Sequence, residues 1–273
     1  MMRSLYSGVT GLRNHQTRMD VIGNNISNVN TVAYKASRVV FQDIFSQTIS
    51  PATGANGTTS GGTNPKQVGL GSAVASIDIL NTESATQYTG NTLDLAIEGD
   101  GYFTIRTGTS TTYTRAGNFY TDENDNLVTA TGGFVQGYAV AADGTVGTTL
   151  QNITIDPSYT NVTIDETGKV NALNGSTKVV IAQIALATFS NTNALEKVGS
   201  NTYRPTVNSG DPTYSTPGNG AAGKLKAGAL EMSNVDLASE FTDMIVTQRG
   251  FQANSRIITT TDSMLEELVN LKR

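Results

Sequence analysis

Large apolar side chains recur at a strict seven-residue step at both ends of this chain, and that recurrence limits the folds open to it. Near the N-terminus the row is Leu5, Leu12, Met19 and Ile26, with Gly8, His15, Ile22 and Val29 three residues further on. Near the C-terminus it is Leu237, Met244, Phe251, Ile258 and Leu265, with Phe241, Gln248, Ser255, Asp262 and Val269 four residues further on. A seven-residue apolar repeat makes a narrow seam, which is buried by a partner helix rather than by a broad core. The first row predicts a helix over 5–29 that stops within the Asn-rich run 24–30, since Asn is a poor helix former and tolerates a left-handed stop. The second predicts an unbroken helix over 235–271, opened by the N-cap signature Ser233-Asn234-Val235-Asp236. Lys272 and Arg273 suit its negative pole. At about 1.5 Å per residue these helices reach roughly 40 Å and 55 Å.

The middle of the chain reads differently. Gly (28), Thr (40) and Asn (24) together make up about a third of the 273 residues, a composition of turns and short strands. Alternating or β-branched runs fall at 76–80, 93–97, 101–105, 113–115, 134–140, 153–155, 162–164 and 178–189. Turn chemistry separates them at 122–126, Asp143-Gly144, 165–168 and Asn174-Gly175. Two Gly-, Thr- and Pro-containing stretches, 50–66 and 208–223, read as extended links. The expected fold is therefore α+β. Terminal helices (1–30 and 233–273) form a coiled-coil-like α domain, 87–204 form a central antiparallel β domain, and 31–86 with 205–232 form extended connections.

Composition and motif spacing exclude several chemistries. The chain has no cysteine, hence no disulfide framework, thiolate metal site or thiol nucleophile, and its one histidine has no second to share a metal. A net charge of −5 argues against nucleic acid as a partner, and no run of 18 apolar residues suggests membrane insertion. Arg13, Asn14, His15 and Arg18 interrupt the N-terminal region before a signal-peptide apolar stretch forms. The run Asp122-Glu123-Asn124-Asp125-Asn126 begins like a calcium loop. Leu127 replaces its glycine and Gly133 its bidentate glutamate, so it reads as a hairpin turn. Asp78, Asp94, Glu98 and Asp100 are the acids that could meet at one sheet edge, without an aromatic cleft around them. No catalytic, cofactor-binding or metal residue is assigned, and an enzyme is not expected.

What the seams predict is association. Leu5, Leu12, Met19, Ile22, Ile26, Leu237, Phe241, Met244, Phe251, Ile258 and Leu265 are the expected assembly interface. Tyr6, Val9, Val21, Ile245, Val246 and Leu268 lie off the seams and stay partly wet when the two helices pair. Burying one large apolar side chain contributes about 1.5–3 kcal/mol, so these favour contact with further copies. The competing reading is a soluble β-rich binding module whose helical arms close a small oligomer.

Three blocks carry a family resemblance. The run from Met19-Asp20-Val21-Ile22-Gly23-Asn24-Asn25 through Thr31, then Tyr34-Lys35, resembles the N-terminal signature of bacterial flagellar rod and hook proteins. Leu93-Asp94-Leu95-Ala96-Ile97-Glu98-Gly99-Asp100-Gly101-Tyr102-Phe103 with Tyr113-Thr114-Arg115-Ala116-Gly117 resembles their entry into the β domain. Glu231-Met232-Ser233-Asn234-Val235-Asp236-Leu237 with Gln248-Arg249-Gly250-Phe251-Gln252 resembles their C-terminal signature. The resemblance implies a structural subunit outside the cytoplasmic membrane, in a self-assembling helical tube that transmits torque. Implied partners are copies of itself, rod proteins, the hook cap, hook-filament junction proteins and the flagellar export apparatus. Within the family the wording of the C-terminal helix is most like hook subunits of Gram-positive type. The chain's length, and the position of the insertion 46–66, suit a distal-rod subunit as the alternative.

Overall fold

The computed structural model describes residues 2–54, 61–141, 145–175 and 177–271. Two long helices bracket the strands: α1 is Met2–Ser27 and α2 is Leu237–Asn270. Helix α1 ends inside the Asn-rich run, as its composition predicts. The start of α2 differs from the expected signature: Asp236 caps it, its Oδ1 accepting the Ala238 N–H at 2.9 Å. The side chain of Asn234 instead accepts the Ala36 N–H and donates to the Leu80 carbonyl. Lys272 and Arg273, expected at the negative pole, lie outside the described residues, as does the turn Asp143-Gly144.

The chain divides into two compact units. The helical unit contains α1, α2 and the intervening stretch Ser37–Ile79. That stretch, expected as part of an extended connection, holds β1 (Ser37–Asp43), β2 (Ser46–Ser50), β3 (Lys66–Gly69) and β4 (Ser72–Ile79). Strands β1 and β4 pair antiparallel, as do β2 and β3. The β1–β4 ribbon packs on α1. Asn14 Nδ2 donates to Ser72 Oγ at 2.7 Å, and the His15 ring meets Phe41 edge-on at 6.2 Å. Asn25 pairs with the Ser37 backbone twice, donating to its carbonyl and accepting its N–H. Polar side chains thus help hold the ribbon, and only the 76–80 run, within β4, was expected as a strand.

The β unit comprises Asn28–Ala36 and Leu80–Asn234. Its early strands are β5 (Thr86–Tyr88), β6 (Leu95–Glu98), β7 (Tyr102–Thr107), β8 (Ser110–Thr114), β9 (Phe119–Thr121), β10 (Leu127–Thr129) and β11 (Phe134–Val140). The middle ones are β12 (Val146–Asn152), β13 (Thr160–Ile164), β14 (Lys169–Asn174), β15 (Thr177–Ile184) and β16 (Leu186–Thr188). The last are β17 (Glu196–Gly199), β18 (Thr202–Arg204), β19 (Thr213–Ser215), β20 (Lys224–Ala227) and β21 (Ala229–Glu231). A sheet runs in the order β13-β14-β15-β11-β7-β8-β18-β17, with β12 also on β11 and β16 also on β7. Every pairing of the named strands is antiparallel. Strands β20 and β21, from the expected connection 205–232, pair with β6 and β5.

The core of this unit is apolar: Leu95, Ile97, Phe103, Ile105, Phe119, Leu127, Val135, Ile184 and Leu186 are buried in one cluster, with Phe103 and Phe119 edge-on at 5.0 Å. Ile153 and Ile155, expected in a strand, are buried outside any ladder; their backbones bond to Leu127 and Asp125 instead. The run 122–126 forms the hairpin turn between β9 and β10. Asp122 Oδ1 accepts the N–H groups of Asn124 and Asn126, both at 2.9 Å, and these bonds hold its carboxyl below the usual range.

Candidate assembly interface

Helices α1 and α2 run antiparallel. Asn25 Nδ2 reaches Glu240 Oε1 at 3.0 Å at one end, and Gly8 faces Ile258 and Asn254 at the other. Between them Arg18 pairs with Asp243 at 3.1 Å, and Gly250 lies against the His15 ring. The facing row of α1 is Gly8, Gly11, His15, Arg18, Ile22 and Asn25; that of α2 is Glu240, Asp243, Thr247, Gly250, Asn254, Ile258 and Thr261.

This is a seam of small and polar residues. A Cβ added to Gly11 would stand 2.7 Å from Asn254 Nδ2, and one added to Gly250 would stand 2.6 Å from His15 Cε1. The helices approach closely because these positions lack side chains. Thr247 is fully buried, and its hydroxyl and His15 Nδ1 have no hydrogen-bond partner among the described residues. Burial, then the neighbouring Arg18 charge, holds the His15 imidazole below its ordinary pKa. Burial pushes the Glu240 carboxyl up.

The expected companion row on α2 is therefore displaced by one residue. Phe241, Gln248, Ser255, Asp262 and Val269 were expected inside; the row one step earlier, Glu240, Thr247, Asn254 and Thr261, faces α1. Of the expected interface residues, Ile22 is buried and Ile258 sits against Gly8. Leu5, Leu12, Met19, Ile26, Met244, Phe251 and Leu265 are half-buried, while Leu237 and Phe241 are exposed. Tyr6, Val9, Ile245, Val246 and Leu268 are also exposed, and Val21 is half-buried. Pairing through small residues leaves much of the apolar surface of both helices on the outside, a surface suited to burial against other chains.

Among the described residues the candidate acids do not gather into a group of three. Asp78 lies in the helical unit, paired with Arg38. In the β unit Asp94 bonds to Thr89 and Asn91, and Glu98 pairs with Lys226 at 3.2 Å. Among the described residues no group of three His, Asp or Glu side chains is placed to hold a metal ion, and no helix is long and apolar enough to cross a membrane.

Comparison with known proteins places this geometry. Residues 5–35 match the family model "Flagella basal body rod protein", 96–172 match "Flagellar hook protein FlgE/F/G D1 domain", and 226–271 match "Flagellar basal body rod FlgEFG protein C-terminal". A flagellar basal-body rod protein FlgG of Bacillus subtilis is 54% identical over 275 positions, covering 100% of both chains. The chain belongs to the flagellar rod and hook protein family. It is a structural subunit of the bacterial flagellum, and members of this family form flagellar polymers with other flagellar proteins. A rod protein FlgG of Borreliella burgdorferi is 37% identical over 280 positions, covering 100% of both chains. The hook protein FlgE of that organism is 32% identical, but over 442 positions, again with 100% of both chains covered. The hook expectation is thus less well supported than its rod alternative: rod relatives align almost without gaps, whereas the hook relative needs long ones.

Proposed function

We propose that this chain is a subunit of the distal flagellar rod, polymerising with copies of itself and joining other rod proteins after delivery through the export apparatus. The observation that carries the reading is the end-to-end alignment with a rod protein at 54% identity over 275 positions. Physically, the helix pair is the assembling part. Its facing rows are mostly small or polar, with Ile22 and Ile258 the apolar members, and residues such as Tyr6, Phe241, Ile245 and Val246 stay exposed. A heterologous contact whose rotation does not close into a ring propagates as an open helix, the form a rod needs. Torque then passes through packed subunits, and no group needs to turn over a substrate.

Electron microscopy of basal bodies from cells lacking the chain tests the assignment. The rod reading expects a truncated rod with no hook. A finished rod lacking only the hook would assign the chain to the hook, and finished rods with hooks would contradict both.

A further inference from the structure

An apolar groove of about 360 Å³ opens on the helical unit, lined by Met2, Arg3, Tyr6, Ile44 and Leu70. Its volume is that of a ligand-sized pocket. Met2, Arg3 and Tyr6 fall on the side of α1 shared with Thr10 and Asn14, which meets the β1–β4 ribbon at Gly71 and Ser72. They do not belong to the row Gly8, Gly11 and His15 that faces α2 of the same chain. The groove is therefore not filled by the chain's own helix partner: Tyr6 is 72% exposed.

The opposite feature sits on the end of α2. Met264, Leu268 and Leu271 stand at i, i+4 and i+7, one apolar stripe, and all three are exposed, Leu271 at 82%. Leu268 stands seven residues after Thr261, on the side of α2 that faces α1, but Gly8 already meets Asn254 and Ile258 and α1 starts at Met2, so this end of α2 runs past its own partner helix. Glu267 flanks the stripe, and no Lys or Arg lies between Arg256 and Lys272. Helix α1 has the reverse balance: Arg3, Arg13 and Arg18 against the single acid Asp20. Among the described residues Arg3, Glu266 and Glu267 make no ion pair.

We propose that the groove beside Arg3 receives the C-terminal end of α2 from a second copy, with Leu268 and Leu271 seated in it and Glu267 on Arg3. This is helix-in-groove recognition: apolar anchors at i, i+4 and i+7 supply the burial, and one charge pair sets the direction of insertion. Groove and tail lie on different parts of one chain. Each contact leaves a free groove and a free tail, so the contact is heterologous and can be repeated from copy to copy. The proposal rests on the reading of the chain as a polymer-forming subunit.

The absence of native cysteine makes engineered thiols direct reporters. Full-length chains carrying Tyr6→Cys are mixed with chains carrying Leu268→Cys and treated with a short bis-maleimide under conditions where the wild-type chain polymerises. The expected result is a mixed dimer at least fivefold more abundant than from Tyr120→Cys, on the β unit, with Leu268→Cys. A chain carrying both Tyr6→Cys and Leu268→Cys gives a ladder. Arg3→Glu removes the product, and Glu267→Arg in the other chain restores it. Equal yields from the Tyr6 and Tyr120 pairs, from a chain that still polymerises, would overturn the docking and leave the rod assignment standing. Preferential Leu268–Leu268 products, or indifference to Arg3→Glu, would overturn it too. A wild-type chain that never polymerises contradicts the assembly reading itself.

Discussion

Lys35 and Glu231 lie 196 residues apart in the chain, yet the lysine ammonium stands 2.6 Å from the carboxylate in the interior of the β unit. Arg115 approaches the same carboxylate at 3.2 Å, and the Ser84 N–H donates to it as well. Both cations also bond to backbone carbonyls. Lys35 Nζ bonds to the Thr82 carbonyl, and Arg115 bonds to the carbonyls of Gly99 and Gly101. Burial lowers the Lys35 pKa, and the Glu231 charge opposes that shift. The three residues come one from each signature block on which the family resemblance rests. Those blocks thus mark the point where distant segments of the β unit are tied together.

Glu231→Gln should therefore destabilise the β unit by about 3–5 kcal/mol, because it leaves two buried cations without their carboxylate. Urea unfolding followed by tyrosine fluorescence measures this. A change below about 1 kcal/mol would show that the cluster is not held as a unit.

Gly250→Ala reverses a familiar sign. In an open helix the change gains about 1 kcal/mol. Here the new methyl meets the His15 ring, and overpacking of that kind costs about 1–3 kcal/mol. Thermal melts by circular dichroism should show the variant less stable than wild type. A more stable variant would place the helices further apart than described.

Acid should weaken the helix pair through His15. Its folded pKa is lowered from 6.5, first by burial and then by Arg18, so the unfolded chain binds the proton more readily. Stability from this group is complete above the unfolded pKa and is lost as the pH falls toward the folded one. A stability profile across this range should slope for wild type and flatten for His15→Gln, which retains Glu240 and its own titration.

Ala33 adopts a left-handed backbone, with φ of 55°, while fully buried. That conformation costs a non-glycine residue about 1–2 kcal/mol. Ala33→Gly removes the strain but adds unfolded-state entropy of about 0.4–1 kcal/mol, so a small net gain in denaturant midpoint is expected.

The seven-residue steps revealed both helices, and the Asn-rich run marked the end of α1. They did not reveal which row of α2 faces α1. Glu240, Thr247, Asn254 and Thr261 carry no apolar signal, and an apolar scan passed over them to the adjacent row. The 76–80 part of β4 was legible as a strand, but its partner β1 was not, because Asn14 and Asn25 hold the ribbon by hydrogen bonds and the Gly- and Thr-rich stretch nearby read as a link. In the β unit β6, β7, β8, β11, β13, β15 and β16 were legible from alternation and turn residues, whereas shorter or more polar strands such as β9, β12 and β17 were not. The Lys35–Glu231 pair was not, since nothing local to Lys35 or Glu231 announces the other. The exposed residues Tyr6, Ile245 and Val246 were legible, because their positions off the seam follow from helical periodicity alone.

The central claim is that apolar surface left open by the helix pair drives association with further copies. Sedimentation velocity at rising concentration tests it most directly, comparing wild type with Ile245→Glu, a substitution at a site 59% exposed in the single chain. The account predicts that wild type shifts to progressively larger open polymers, while the variant melts at the same temperature and remains a monomer. A wild-type chain that stays monomeric or stops at a closed dimer, or a variant that assembles like wild type, would contradict it.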